Sequence, residues 1–341
     1  MRMTDGRRAQ TFFLCGMACM CGLAGISRNA WPADGRENWS PRHNVEIIVP
    51  ASPGGGFDLA ARTVQTIVQK RRIISAPVVV VNKPGGGGLI SWTYLNEHDG
   101  DGGELCVSTP NILTNYITGK SHFRYSVFTP IAQLYTEYPV FIVRAGSPLR
   151  TGRGLVDALK RNVTSLSISV GSGIGNVNHL ALVLVAKAAG VDGRALRTVV
   201  FKGSSEALAA LLGGHIDVSI TGVSAALPSV RAGKVRILGV SAPHRLGGPL
   251  AAVPTWKEQG ADVVVGNWRG IIGAPGMSAA QVSYWNRMFG KLVKTPDWRK
   301  TAGRYFWTTD YMNSAASRRF LAQQYAMLGG LLEDIGLAQA K

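Results

Sequence analysis

Short apolar and β-branched runs alternate along the chain with stretches at helical spacing. This alternation is the strongest constraint on its fold. Val45–Val49 reads as a strand, and Leu59, Thr63, Val64, Ile67 and Val68 then recur at helical period. Further strands are predicted over residues 78–81, 105–108, 139–143, 166–170, 198–201, 216–220 and 235–240. Helices are predicted over 178–189 and 205–212, the second stopped by Gly213, and residues from Ala279 onward read as largely helical. Strands interleaved with helices specify α/β layers, and no repeat of fixed period intervenes.

Three of the strands end in loops of small residues that open helices, at 50–58, 171–178 and 202–205. A helix N-terminus presents free N–H groups and a partial positive charge, which suits an anion. In open α/β sheets ligands bind beyond the carboxyl ends of the strands. The charge agrees: 37 Lys and Arg against 20 Asp and Glu give a net +17. The basic residues are dispersed rather than gathered in runs. A field that favours small anions accounts for them, and nucleic acid is not expected as a partner.

The N-terminus carries its own signal. Arg2, Arg7 and Arg8 precede an apolar stretch from Phe12 to Ile26, the pattern of a secretory signal peptide. It is short for a membrane span, which needs about 20 apolar residues. Residues 1–30 are expected to be cleaved, with residues 31–44 as a polar linker. The mature chain then retains a single cysteine, Cys106, so no internal disulfide is expected. That thiol lies in an apolar strand and is expected to be buried and unreactive.

Motifs for catalysis fail on inspection. Gly119-Lys120-Ser121 ends like a phosphate loop, but Thr114 stands where the first glycine must be. Gly171 and Gly173 lack the third glycine of a dinucleotide fingerprint, because Asn176 occupies its place. Gly222-Val223-Ser224-Ala225-Ala226 lacks the last glycine of a nucleophile elbow. His43, His98, His122, His179, His215 and His244 form no metal-binding pair. No catalytic residue, metal or cofactor is therefore expected.

A set of short motifs, in order, carries a resemblance. It begins with Ile48-Val49-Pro50, then Pro53-Gly54-Gly55-x-x-Asp58 and Ala61-Arg62. Asn82-Lys83-Pro84 and the glycines 85–88 follow, then Gly171-Ser172-Gly173-x-Gly175-x-x-x-His179-Leu180. Phe201-Lys202-Gly203, Leu211-Leu212-Gly213-Gly214-His215-Ile216-Asp217 and Val253-Pro254-Thr255-x-x-Glu258-x-Gly260 come next. Trp268-Arg269-Gly270 and Ala274-Pro275 close the set. From Val45 to Gly336 the chain resembles the substrate-binding proteins of tripartite tricarboxylate transporters, the TctC-like or Bug family.

The resemblance implies an α/β, two-lobed periplasmic-binding-protein fold of type 2, with a ligand cleft between the lobes. Lobe one would take residues 45–144 and 266–341, and lobe two 145–265, with crossovers near Val143 and Trp268. It implies a periplasmic, monomeric receptor, not an enzyme, that delivers a small carboxylate to the large and small subunits of a membrane permease. A sensor for a signalling partner, and an exported hydrolase or isomerase of anions, are the rival readings. The ligand carboxylate would be held mainly by backbone N–H groups and waters from the first loop and the loop before His179.

The expected ligand-binding residues are Ser52, Gly55, Gly56, Phe57, Asp58, Gly173, Gly175, Asn176 and His179. Gly55 and Gly56 would let the backbone approach the ligand. Asp58 caps its helix, touches a ligand ammonium or hydroxyl, or does both. Asn176 caps the second-lobe helix and reaches the ligand, or only caps. His179 is expected to be packed and hydrogen-bonded, Lys202 to be solvated, and Trp268 and Arg269 to serve the hinge or core. The chain departs from the family pattern at Ala51, where an aromatic is usual, at Gly56 and Phe57, where small polar residues are usual, at Ser91, where glycine is common, and at Asn176, where Ser or Thr is common. Bulk has moved from position 51 to 57, so an apolar or aromatic acid is expected to fit better than citrate.

Overall fold

The computed structural model describes residues 39–171 and 173–339. The expected signal segment, most of the expected linker, and Ser172 lie outside the described residues. In chain order the elements are β1 (Val45–Val49), α1 (Gly56–Lys70), β2 (Val78–Asn82), α2 (Leu89–Asn96), β3 (Glu104–Ser108), α3 (Asn111–Ile117) and β4 (Thr129–Glu137). Then come β5 (Pro139–Arg144), α4 (Gly152–Arg161), β6 (Ile168–Gly171), α5 (Val177–Ala188), β7 (Thr198–Phe201), α6 (Ser204–Leu212), β8 (Val218–Gly222), α7 (Val223–Arg231) and β9 (Val235–Val240). The chain ends with β10 (Asn267–Gly273), α8 (Ala279–Leu292), α9 (Pro296–Tyr305) and α10 (Ser314–Asp334).

Two five-stranded sheets result. The first has the order β2-β1-β3-β10-β4 and the second β7-β6-β8-β5-β9. In the first, β1 runs parallel to β2 and β3, and β10 runs antiparallel to β3 and β4. The second repeats the scheme: β6 is parallel to β7 and β8, and β5 is antiparallel to β8 and β9. The parallel strands of each sheet therefore point their carboxyl ends the same way, and their following helices start there.

The chain passes from the first sheet to the second at Tyr138, between β4 and β5. Residues 139–144, expected to close the first lobe, pair instead with β8 and β9 of the second sheet. The crossover near Val143 is corrected accordingly. The return lies between β9 and β10, and Trp268 is the second residue of β10. The end of the expected linker also packs: the Trp39 ring meets Tyr284 edge-on at 5.3 Å.

Sequence explains these elements locally. The apolar stripe of α1 buries Val64, Ile67 and Val68 against the first sheet. Each such burial contributes about 1.5–3 kcal/mol. The side chains of Thr151, Asn176, Ser278, Thr295 and Asn313 each accept from a backbone N–H group at the start of a helix, five in all among the described α-helices. β3 is buried along its whole length, and its centre, Leu105-Cys106-Val107, is apolar throughout. Cys106 on β3 is fully buried, and burial pushes its thiol pKa well up. No helix among the described residues is long and apolar enough to cross a membrane.

Candidate functional site

The loop after β1 folds back on itself through Asp58. Its carboxylate accepts from the Gly54 N–H at 3.0 Å, Arg62 Nε at 2.8 Å and Asn82 Nδ2 at 3.1 Å. Burial raises the Asp58 pKa, but these hydrogen bonds and the Arg62 charge together hold it below the usual carboxylate range. Asp58 is not the cap of α1. Gly55 holds that position, in extended backbone at φ −86° and ψ 177°, with no side-chain cap. The first helical bond of α1 runs from the Leu59 N–H to Gly55 O, so the N–H groups of Gly56, Phe57 and Asp58 lie ahead of it.

The second-lobe loop after β6 is braced differently. Asn176 caps α5, its Oδ1 accepting from the His179 N–H at 2.8 Å. His179 reaches back, and its Nδ1 accepts from the Gly175 N–H at 3.2 Å. That bond fixes a neutral ring with its proton on Nε2. Burial, with the Lys120 charge nearby, depresses the His179 pKa to about 4. His179 thus has the packed, hydrogen-bonded position expected of it. Gly173 and Gly175 take φ of +111° and +82°.

These loops face each other across a cleft between the sheets. From the first lobe it is lined by Ala51, Gly55, Gly56, Phe57 and Asn111, and from the second by Gly171, Asn176, Val177, Asn178, Ser204 and Gly222. The starts of α1, α5, α6 and α7 converge there. Of the expected residues, Gly55, Gly56, Phe57 and Asn176 line this space. Ser52, Asp58, Gly173, Gly175 and His179 are not among the residues that line it. Ser52 works across the lobes instead, its Oγ donating to Glu206 Oε1 at 2.7 Å.

The floor comes from residues with no expected role in binding. Glu137 ends β4 and Arg269 sits on β10; both line the cleft, and both side chains are almost wholly buried. Arg269 Nη2 donates to Glu137 Oε1 at 2.7 Å. Glu137 Oε2 accepts from Ser224 Oγ at 2.6 Å and from the Ser224 N–H at 3.3 Å, in the first turn of α7. Arg269 Nη1 donates to the backbone oxygens of Asn267 and Trp268 and to Asn267 Oδ1. Phe57 lies over the guanidinium, 4.4 Å from its ring centroid. Arg269 is thus part of the cleft wall as well as of the sheet. The available signal was a charged residue inside each of two otherwise buried strands, which is rare unless the charges pair. The remaining cavity is about 20 Å³, room for about one water.

The model of the tripartite tricarboxylate transporter family receptor matches residues 60–337. The UPF0065 protein in the gbd 5' region of Cupriavidus necator is 27% identical over 327 residues, covering 96% of this chain and 97% of its own. The solved periplasmic binding protein BugD superposes with a TM-score of 0.81 at 24% identity, covering 88% of this chain and 100% of its own. A Rhodopseudomonas palustris protein solved with adipate gives a TM-score of 0.80 at 23% identity, covering 87% of this chain and 99% of its own. The architecture is the two-lobed fold of periplasmic binding proteins.

Proposed function

The chain belongs to the tripartite tricarboxylate transporter receptor family, and on that premise we propose that it is an exported receptor whose lobes close on a small carboxylate. It hands that acid to the two membrane subunits of a tripartite permease. The observation that carries this reading is the convergence of helix N-termini from both lobes on one cleft. Each brings N–H groups that lie ahead of its first helical bond, and each terminus carries about half a positive charge. Gly55 and Gly56 bring the backbone of α1 to the ligand, and Asn176 holds the start of α5 in place. Asp58 and His179 act one step back, by fixing the two loops. The protein solved with adipate offers a parallel in ligand class on the same fold.

A thermal-shift screen of the purified protein against a panel of carboxylic acids tests the reading. An acid at about 100 times its Kd adds about 2.7 kcal/mol, which for a chain of this size is about 4 °C in Tm. A panel that shifts nothing sinks it. Export is checked on the same preparation from its native host. The mature N-terminus is expected to begin between residues 25 and 34, about where the apolar signal stretch ends.

A further inference from the structure

Glu137 places a carboxylate inside the cleft, at a position a ligand carboxylate could otherwise take. Its two oxygens meet a guanidinium from β10 and the start of α7, the two kinds of group that recognise an acid. We infer that Glu137 is a built-in counterpart of a second ligand carboxylate, so that this cleft selects acids with one carboxylate and an apolar body. The inference rests on the receptor reading and narrows its substrate class.

The charges lead there. Glu137 and Arg269 line the cleft, and they cancel. Glu137 already accepts three hydrogen bonds, one from Arg269 and two from Ser224, and its charge is paired, so it offers little to an ammonium group of a ligand. The first turn of α7 is occupied as well, by the same side chain. What remains for a ligand is the starts of α1, α5 and α6, enough for one anion at about half a charge each. A second ligand carboxylate would have to lie beside Glu137 in this narrow space, and the guanidinium that could neutralise it is already paired with Glu137.

Two side chains set the rest of the ligand. Phe57 covers the ion pair from the first lobe and turns an apolar ring toward the cleft. Asn178 is buried, lines the same space, and its Oδ1 has no partner. Arg269 Nε is likewise buried without a partner, and it is the one group that could still draw a second carboxylate. It would do so only against the field of Glu137.

Calorimetric titration with acids matched in carbon skeleton decides the matter: hexanoate against adipate, and benzoate against phthalate. The native protein is expected to prefer the monocarboxylate of a pair by about tenfold or more. Glu137→Gln frees the guanidinium and the start of α7, and is expected to raise dicarboxylate affinity about tenfold and erase that preference. If Glu137→Gln does not fold, Glu137→Gln with Arg269→Gln keeps the floor neutral and lacks an anchor for a second carboxylate. That double variant is expected to keep the native preference. A native protein that binds adipate or phthalate as tightly as its partner acid overturns the inference alone. So does a Glu137→Gln protein with an unchanged ratio, or a double variant that prefers dicarboxylates. Failure to bind any acid, in these pairs or in the wider panel, overturns the receptor reading and this inference with it.

Discussion

A buried carboxylate decides how much room the backbone has at two glycines. A Cβ on Gly222 would come within 2.5 Å of Glu137 Oε1, and one on Gly56 within 3.1 Å. The first is a clash with a fixed, ion-paired group, and the second is a tight contact. Gly55, expected with Gly56 to let the backbone approach the ligand, has extended backbone, and a Cβ there would meet Ser204 N at 3.7 Å, an ordinary contact. Gly222→Ala is therefore expected to cost about 1–3 kcal/mol through overpacking. Gly56→Ala should cost less, and Gly55→Ala should stay within about 0.5 kcal/mol. Urea unfolding midpoints rank the three, and equal midpoints would show that the floor yields freely. The sequence made the glycines visible but not their order of importance. That order depends on Glu137, whose approach to Gly222 spans more than eighty residues of chain.

Among the elements, α5 shows how a helix start is tuned by a side chain one turn in. His179 is held neutral, with a pKa of about 4 against an ordinary 6.5, because it is buried and the Lys120 charge lies nearby, and its Nδ1 accepts the Gly175 N–H. The unfolded chain takes up a proton as pH falls through 6.5, while the folded chain resists until about 4. The stability this group contributes is thus complete above pH 6.5 and is lost as pH falls toward 4, a drop of up to about 3 kcal/mol. His179→Gln keeps an acceptor for Gly175 without the titration, so its stability should be flatter across that window. Parallel denaturation curves at pH 7 and pH 4.5 check this, and an equal decline in both proteins assigns the pH dependence elsewhere. Legibility at this scale was uneven, for a physical reason. The Val-, Ile- and Leu-rich centres of β1, β2 and β3 are legible from composition, and the apolar runs at 166–170 and 216–220 begin about two residues ahead of β6 and β8. β4 and β10 were not seen, because they carry Gln133, Glu137, Asn267 and Arg269 inward. Strands that build the floor of a site break the apolar run by which strands are recognised.

For the molecule as a whole, the question is how an acid gets in. A cavity of about 20 Å³ admits no carboxylic acid, so the lobes must part first. Away from the crossovers, five side-chain hydrogen bonds span the two lobes among the described residues: two long ones, from Lys187 Nζ to Asp334 O at 3.3 Å and from Arg231 Nη2 to Arg304 O at 3.5 Å, and three shorter ones. Ser52 Oγ donates to Glu206 Oε1 at 2.7 Å, Ser205 Oγ donates to Pro53 O at 2.9 Å, and Lys120 Nζ donates to Ile174 O at 2.6 Å. Each contributes about 1 kcal/mol to the closed form, so removing two shifts the open-to-closed ratio about thirtyfold. The paired substitution Ser52→Ala with Ser205→Ala does this without altering a charge or the cleft lining. The ligand-free double variant is expected to show a larger radius of gyration by small-angle scattering than the native protein. A bound acid should return it to the native value, since hinge closure is what the ligand completes. Association should also be faster in the variant, because opening no longer limits the first encounter. If the radius and the association rate both match the native protein, these bonds do not hold the cleft shut. The barrier would then lie with Phe57, whose ring must leave the guanidinium before any ligand reaches the floor.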